Sequence, residues 1–191
     1  MLRSKRIVVL AHCILNTNAK VYGLSSYKAI MTKLVEYFIK NDIAMIQLPC
    51  PEMQVYGTRR WGLVKEQLNT QFYRKNCRKM LKGLIWQLDD YKNNGYNIIG
   101  IVGVNGSPSC GVSRTCSGVD WFGEFLDKED TWRKIESLKS IDGQGVFIEE
   151  LILLLNKYNL EIPIFEISET NTDASIDEII CKFESQIITN P

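Results

Sequence analysis

Asn97-Ile-Ile-Gly-Ile-Val-Gly-Val104, followed after Asn105 by Gly106-Ser-Pro-Ser-Cys-Gly111, is the stretch that decides how the chain is read. The first part is an apolar run without polar alternation, the pattern of a strand covered on both faces. The second part is a turn that places Cys110 just beyond the strand's carboxyl end. Two other segments repeat this plan. Ile7-Val-Val-Leu10 runs into Ala11-His-Cys-Ile-Leu15, and Asp42–Leu48 runs into Pro49-Cys-Pro51. A fourth strand is predicted over Ile162–Ile167.

Helical patterns lie between these strands. One runs from a cap at Ser25 or Ser26 to about Lys40, with Ile30, Leu34, Tyr37 and Phe38 on one face. A long one covers Lys65–Tyr91, with Tyr73, Cys77, Leu81, Leu84 and Leu88 on a stripe. A third covers Val146–Tyr158, opened by Asp142-Gly-Gln-Gly145. The capping box Ser175-Ile-Asp-Glu178 announces a final amphipathic helix. The stretch 112–142 reads as an irregular, aromatic-rich insertion. Strands that alternate with helices imply an α/β, single-domain, three-layer Rossmann-like fold with a mainly parallel sheet. Ligands bind such sheets at the carboxyl ends of the strands.

The 191 residues carry 23 Lys and Arg against 22 Asp and Glu, a net charge of +1. That balance argues against a long nucleic-acid partner and for a small molecule, with tRNA left open as a carrier. No apolar run approaches the ~18–20 residues of a membrane span. The basic start and its short apolar run are interrupted by His12 and lack a small-residue cleavage site, so a cytoplasmic protein is expected. There the six cysteines are read as metal-binding or catalytic rather than as disulfides.

Cys13, Cys50 and Cys110 follow three different strands, and parallel strands bring all three ends to one edge. Cys77 and Cys181 are read as core residues of their helices, and Cys116 as a rival ligand in the loop beyond Cys110. Three converging thiolates suit a zinc site, an iron–sulfur site, or a nucleophile with two spectators. No C-x-x-C pair is present to favour a zinc finger. Pro49-Cys-Pro-Glu52 holds Cys50 and Glu52 on a backbone stiffened by proline, so Glu52 is a candidate general base. Ser107 and Ser109 place two hydroxyls beside Cys110.

Together, Ala11-His-Cys-Ile-Leu15, Leu48-Pro-Cys-Pro-Glu52 and Ser107-Pro-Ser-Cys-Gly111 resemble the motifs of the thiouracil desulfidase (TudS-like) family, and Asp142-Gly-Gln-Gly-Val146 is similar to that family's C-terminal half. The resemblance runs through the whole chain. It implies a 4Fe–4S cluster held by Cys13, Cys50 and Cys110 with one open iron. It implies a catalytic Glu52 and a catalytic serine at Ser107, with Ser109 as the alternative. The implied reaction removes sulfur from a thiolated pyrimidine base or nucleotide, such as thiouracil or 4-thiouridine monophosphate. The chain departs from the family after its first motif, where it reads Asn16-Thr-Asn-Ala-Lys-Val-Tyr-Gly23, and after Glu52, where it reads Met-Gln-Val-Tyr-Gly-Thr-Arg-Arg-Trp-Gly62. It resembles a divergent branch.

Around this set, Arg59 and Arg60 are candidates for a nucleotide phosphate. Trp61, Trp121 and Phe122 are candidates for stacking a base. Trp132 is expected in a local core, and Gly143 and Gly145 before a helix are a candidate anion site. Arg74, Lys75, Arg78, Lys79 and Lys82 form a basic stripe on the long helix, expected to be a solvated face. Two rival readings are a cysteine-nucleophile hydrolase using Cys13 or Cys110, and a non-catalytic metal- or nucleotide-binding module.

Overall fold

A computed structural model describes residues 2–189. Its main sheet has four strands: β1 (Arg6–Leu10), β2 (Ala44–Gln47), β3 (Asn97–Val104) and β6 (Ile164–Ile167). Their order is β2-β1-β3-β6, and every neighbouring pair is parallel. The fold is therefore the expected Rossmann-like α/β arrangement. The chain steps from β1 outward to β2 and then returns to the far side of β1 for β3. The carboxyl edge between β1 and β3 is thus a topological switch point, where open α/β sheets bind ligands.

Burial explains why the strands read as unbroken apolar runs. Val8, Val9, Leu10, Ile101 and Val102 are all 0% exposed. The long helix α5 (Gln71–Asn93) packs with α7 (Val146–Lys157), while α2 (Thr32–Lys40) packs with α8 (Thr172–Thr189). Two glycines of β3 show that these pairs cover opposite faces. Gly100 abuts Phe183 of α8, whereas Gly103 abuts Ile148 of α7, and residues three apart on a strand point to opposite sides.

Several boundaries differ from the sequence expectation. Helix α2 begins at Thr32 rather than at Ser25 or Ser26. The preceding segment is held elsewhere, because the Ala29 carbonyl accepts the Thr17 N–H and the Met31 N–H donates to the Ile14 carbonyl, both at 2.9 Å. The expected Lys65–Tyr91 helix is two helices, a short α4 (Lys65–Leu68) and α5, because Thr70 takes the N-cap of α5 and accepts the Tyr73 N–H at 3.2 Å. Ser175 lies inside α8, not at its cap. Its hydroxyl accepts the Ser168 N–H at 2.9 Å and ties the helix to the end of β6.

The 112–142 stretch is not irregular. It contains β4 (Arg114–Gly118), a helix α6 (Lys128–Glu136) and β5 (Leu138–Asp142), and the two strands pair antiparallel. Arg114 fastens the open end of this hairpin to Asp142 at 2.8 Å and to the Ser140 carbonyl at 2.8 Å. Cys77 is buried as expected, but Cys181 is exposed on α8. Trp132 is 55% exposed and does not belong to a core.

Candidate functional site

Each strand end supplies one part of the site. After β1 the chain turns at once into the short helix α1 (His12–Leu15), whose first turn carries Cys13. After β2, Pro51 opens α3 (Pro51–Tyr56) at a position where its missing N–H costs nothing. Cys50 is the N-cap of that helix, and its sulfur accepts the Met53 N–H at 3.4 Å. After β3 the chain folds back on itself, so that the Cys110 carbonyl accepts the Val104 N–H at 2.9 Å. Gly103 permits this return, since a Cβ there would stand 2.7 Å from the Cys110 oxygen.

The returning turn is locked from within and from behind. Ser107 accepts the Cys110 N–H at 2.9 Å and the Ser109 N–H at 3.3 Å on its hydroxyl oxygen. The first amides of α7 donate to the turn's carbonyls: Val146 to Pro108 at 3.0 Å, and Phe147 and Ile148 to Ser109 at 3.0 and 3.2 Å. Gly145 lies so close that a Cβ would meet the Ser109 carbonyl carbon and oxygen at 2.4 Å. The Gly143–Gly145 segment is therefore a clamp on the Cys110 turn. It is not an anion site, because its helix-end donors are already spent.

Cys13, Cys50, Glu52, Ser107, Ser109 and Cys110 all line one cavity of about 570 Å³, within the roughly 300–1,000 Å³ typical of small-molecule sites. Glu52 is 8% exposed. One of its oxygens accepts the Ser109 hydroxyl at 2.5 Å, and the other accepts the Arg60 Nε–H at 3.3 Å. The structure thus brings Ser109, rather than Ser107, to the carboxylate. Arg60 is itself pinned, donating to the carbonyls of Gly57 at 3.0 Å and Ala19 at 2.7 Å. Its role in the fold is to hold Glu52, not to wait for a phosphate. Arg59 is exposed and outside this cavity, and Trp61, 78% exposed, lines a smaller neighbouring cavity instead.

The thiols feel one another. Burial, with the nearby Glu169 carboxylate next, pushes the Cys13 thiol up to about 12, and Cys50 adds to the rise. Burial also pushes Cys110 well above the ordinary thiol range, reinforced by Cys13 and Cys50. Burial raises Cys50 as well, against the Met53 N–H, which favours its thiolate. Such thiols are poor nucleophiles, since the thiolate is the reactive form. Among the described residues, no three His, Cys, Asp or Glu side chains are grouped to hold a single metal ion. Cys116, on β4, lines the same cavity from the far wall and is half-buried.

Further residues complete the wall, among them His12, the single His of the sequence, which the reading of the residues leaves between support of a cluster or substrate and a strand-end structural role. His12 Nδ1 lies 3.0 Å from the Leu48 carbonyl, to which it donates. Nε2 is buried and without a partner, and His12 lines the cavity. Lys20 and Glu169 form an ion pair on the cavity wall. Tyr27 donates to the Cys13 carbonyl at 3.0 Å. All but His12 sit in loops with no local signature; the pairing of Lys20 with Glu169 spans most of the chain. The basic stripe of α5 is not all solvated, because Arg74 and Arg78 meet the buried Glu150 of α7 at 2.8 and 2.7 Å.

Comparison with known proteins finds an archaeal relative. The chain is 38% identical over 111 residues to the uncharacterized protein MJ0003 of Methanocaldococcus jannaschii, a match covering 58% of this chain and 70% of that protein. No family model and no solved structure matches the chain.

Proposed function

The chain belongs to the same family as the Methanocaldococcus jannaschii protein MJ0003, and from the geometry of its strand-end site we propose that it is a hydrolytic desulfidase acting on a thiolated pyrimidine base or nucleotide. The reaction exchanges sulfur for oxygen: the thiocarbonyl and water become the oxo-pyrimidine and hydrogen sulfide, with no electron transferred. The observation that carries the reading is the Glu52–Ser109 pair on the wall of a cavity that also holds three thiols from three different strand ends.

A 4Fe–4S cluster held by Cys13, Cys50 and Cys110 is part of the proposal. The donor set fits it, being three soft thiols on one cavity, with the Glu52 carboxylate beside them engaged by Ser109 and Arg60. When bound, such a cluster with one open iron supplies a Lewis acid suited to a thiocarbonyl sulfur.

The chain's own residues handle the proton and the ring. Glu52 accepts a proton from the attacking water at Oε1, the oxygen that the Ser109 hydroxyl now occupies. Ser109 then passes its hydrogen bond to the substrate or relays the proton. Arg60 keeps the carboxylate from rotating away. A cytoplasmic location also belongs to this proposal, supported by six cysteines that are all unpaired.

The test is anaerobic purification followed by iron and sulfide analysis, a visible spectrum, and addition of 2-thiouracil or 4-thiouridine monophosphate. Bound iron and release of sulfide are expected. Cys50→Ser should lose the iron, and Glu52→Gln should keep iron but stop sulfide release. A protein that takes up no iron after anaerobic cluster reconstitution refutes the proposal.

A further inference from the structure

We propose that the site selects an uncharged thiolated nucleoside and disfavours the phosphorylated form. The inference rests on the desulfidase reading and narrows its substrate. Every cation lining the site cavity already has a carboxylate: Lys20 has Glu169, Arg60 has Glu52, and Arg114 has Asp142. The smaller cavity of about 380 Å³ shares Arg60, Gly62, Leu63 and Trp121 with the first. Its remaining cation, Lys134, is held by Asp130 at 2.9 Å.

The backbone of the Cys110 turn and of the start of α7 offers no replacement. The Ser109 and Cys110 amides point to the Ser107 hydroxyl, and the Gly111 amide to the Ser107 carbonyl at 3.0 Å. The Val112, Ser113 and Arg114 amides converge on the side-chain oxygen of Asn105 at 3.2–3.3 Å. The N-terminal amides of α7 are taken by the turn. A phosphate dianion brought to this turn would lose water and meet spent donors, which is costly. The remaining walls are apolar, with Val21, Leu24, Leu63, Val64 and Leu138 in the first cavity. In the second, Tyr56, Trp61, Phe122 and Phe125 present aromatic surface. Those walls suit the uncharged end of a molecule longer than a single ring.

The experiment compares 4-thiouridine with 4-thiouridine 5′-monophosphate on the anaerobically reconstituted protein, by tryptophan-fluorescence titration and by sulfide release. The nucleoside should bind about tenfold or more tightly than its monophosphate, the order expected for burying an unmatched charge. Glu169→Gln, which leaves Lys20 without its carboxylate, should narrow that ratio at least about threefold. Trp61→Ala, at an exposed position, should weaken the nucleoside. Equal or tighter binding of the monophosphate overturns the inference, as does failure of the nucleoside to bind. Preferential binding of the nucleoside without sulfide release would sustain the charge selection and refute the desulfidase reading.

Discussion

Replacing Gly145 by alanine isolates the clamp that holds Cys110 and Ser109. The backbone at Gly145 is extended, with φ −74° and ψ 154°, so alanine carries no conformational penalty there. The whole effect is steric. The new Cβ would lie 2.4 Å from the Ser109 carbonyl carbon and oxygen and 2.9 Å from the Cys110 nitrogen. These are backbone atoms and cannot swing aside like the end of a side chain. Either the turn or the start of α7 must move. Overpacking of this kind costs about 1–3 kcal/mol. Moving the helix end also strains three hydrogen bonds, from Val146, Phe147 and Ile148, each contributing about 0.5–1.5 kcal/mol. A loss of about 2–4 kcal/mol lowers Tm by roughly 4–16 °C in a domain of this size. Gly83→Ala is the control, at an exposed helical site where a Cβ meets nothing within 4 Å. It should stabilise by about 0.5–1 kcal/mol. Thermal unfolding followed by circular dichroism reads both. Gly145→Ala should in addition lower iron retention, because it shifts the Cys110 turn. A Gly145→Ala protein melting within about 1 °C of wild type, with full iron, would show that α7 does not clamp the turn.

Ser109→Ala and Ser107→Ala should separate chemistry from scaffolding. The first removes the hydroxyl on Glu52 and should slow sulfide release by roughly 10²–10⁴-fold at unchanged iron content; the second removes the acceptor of two turn amides and should mainly lower Tm. Glu150, 1% exposed, is neutralised by Arg74 and Arg78, so the double change Arg74→Met with Arg78→Met should destabilise by about 3–5 kcal/mol in denaturant unfolding. Burial pushes the Cys77 thiol from 9.0 up to about 12. A folded-state value above the unfolded one means that this stabilisation is complete below about pH 9 and is lost as pH rises toward 12. Cys77→Ala should therefore flatten the alkaline loss of stability while leaving iron content unchanged.

The parts legible in the sequence are those where burial writes its own pattern. β1 and β3 are covered on both faces, so their residues are apolar without interruption, and the cysteines that follow them were read as strand-end residues. The hairpin of β4 and β5 left no such trace. Arg114-Thr-Cys-Ser-Gly118 and Leu138-Lys-Ser-Ile-Asp142 are mostly polar, and their pairing is held by backbone bonds and the Arg114 fork rather than by an apolar face. The start of α2 was misread because Ser25 has the chemistry of a cap, yet its hydroxyl serves the Tyr27 carbonyl at 2.5 Å in a turn. Arg60 looked like a free phosphate binder because its partner, Glu52, is a motif residue whose second oxygen no local pattern assigns. The choice between Ser107 and Ser109 was likewise closed to the sequence. Two residues apart in one turn, they differ only in which hydroxyl faces inward to the amides and which reaches the carboxylate.

The two sheets divide the site by kind. Cys13, Cys50, Glu52, Ser109 and Cys110 all follow strands of the parallel sheet, whose buried residues fix their spacing. The opposite wall comes from the antiparallel hairpin, through Arg114, Cys116, Leu138 and Ser140, and from Trp121 in the loop beyond β4. That wall hangs on separate contacts: Glu66 of α4 accepts the Ser117 hydroxyl and, at 3.3 Å, the Gly118 N–H, and the Trp121 indole donates to the Gly62 carbonyl at 2.9 Å. Its inner end also touches the Cys110 turn, since the Thr115 hydroxyl donates to the Ser107 carbonyl at 3.1 Å and the Gly106 N–H to the Arg114 carbonyl at 3.0 Å; changes at Trp121, beyond that junction in the chain, therefore act on what the cavity admits and leave the strand-end residues in place. Trp121→Ala should alter the relative rates on 2-thiouracil and 4-thiouridine while iron content stays at the wild-type level. Loss of iron in that variant would mean that the hairpin wall, not the parallel sheet alone, sets the geometry of the three thiols.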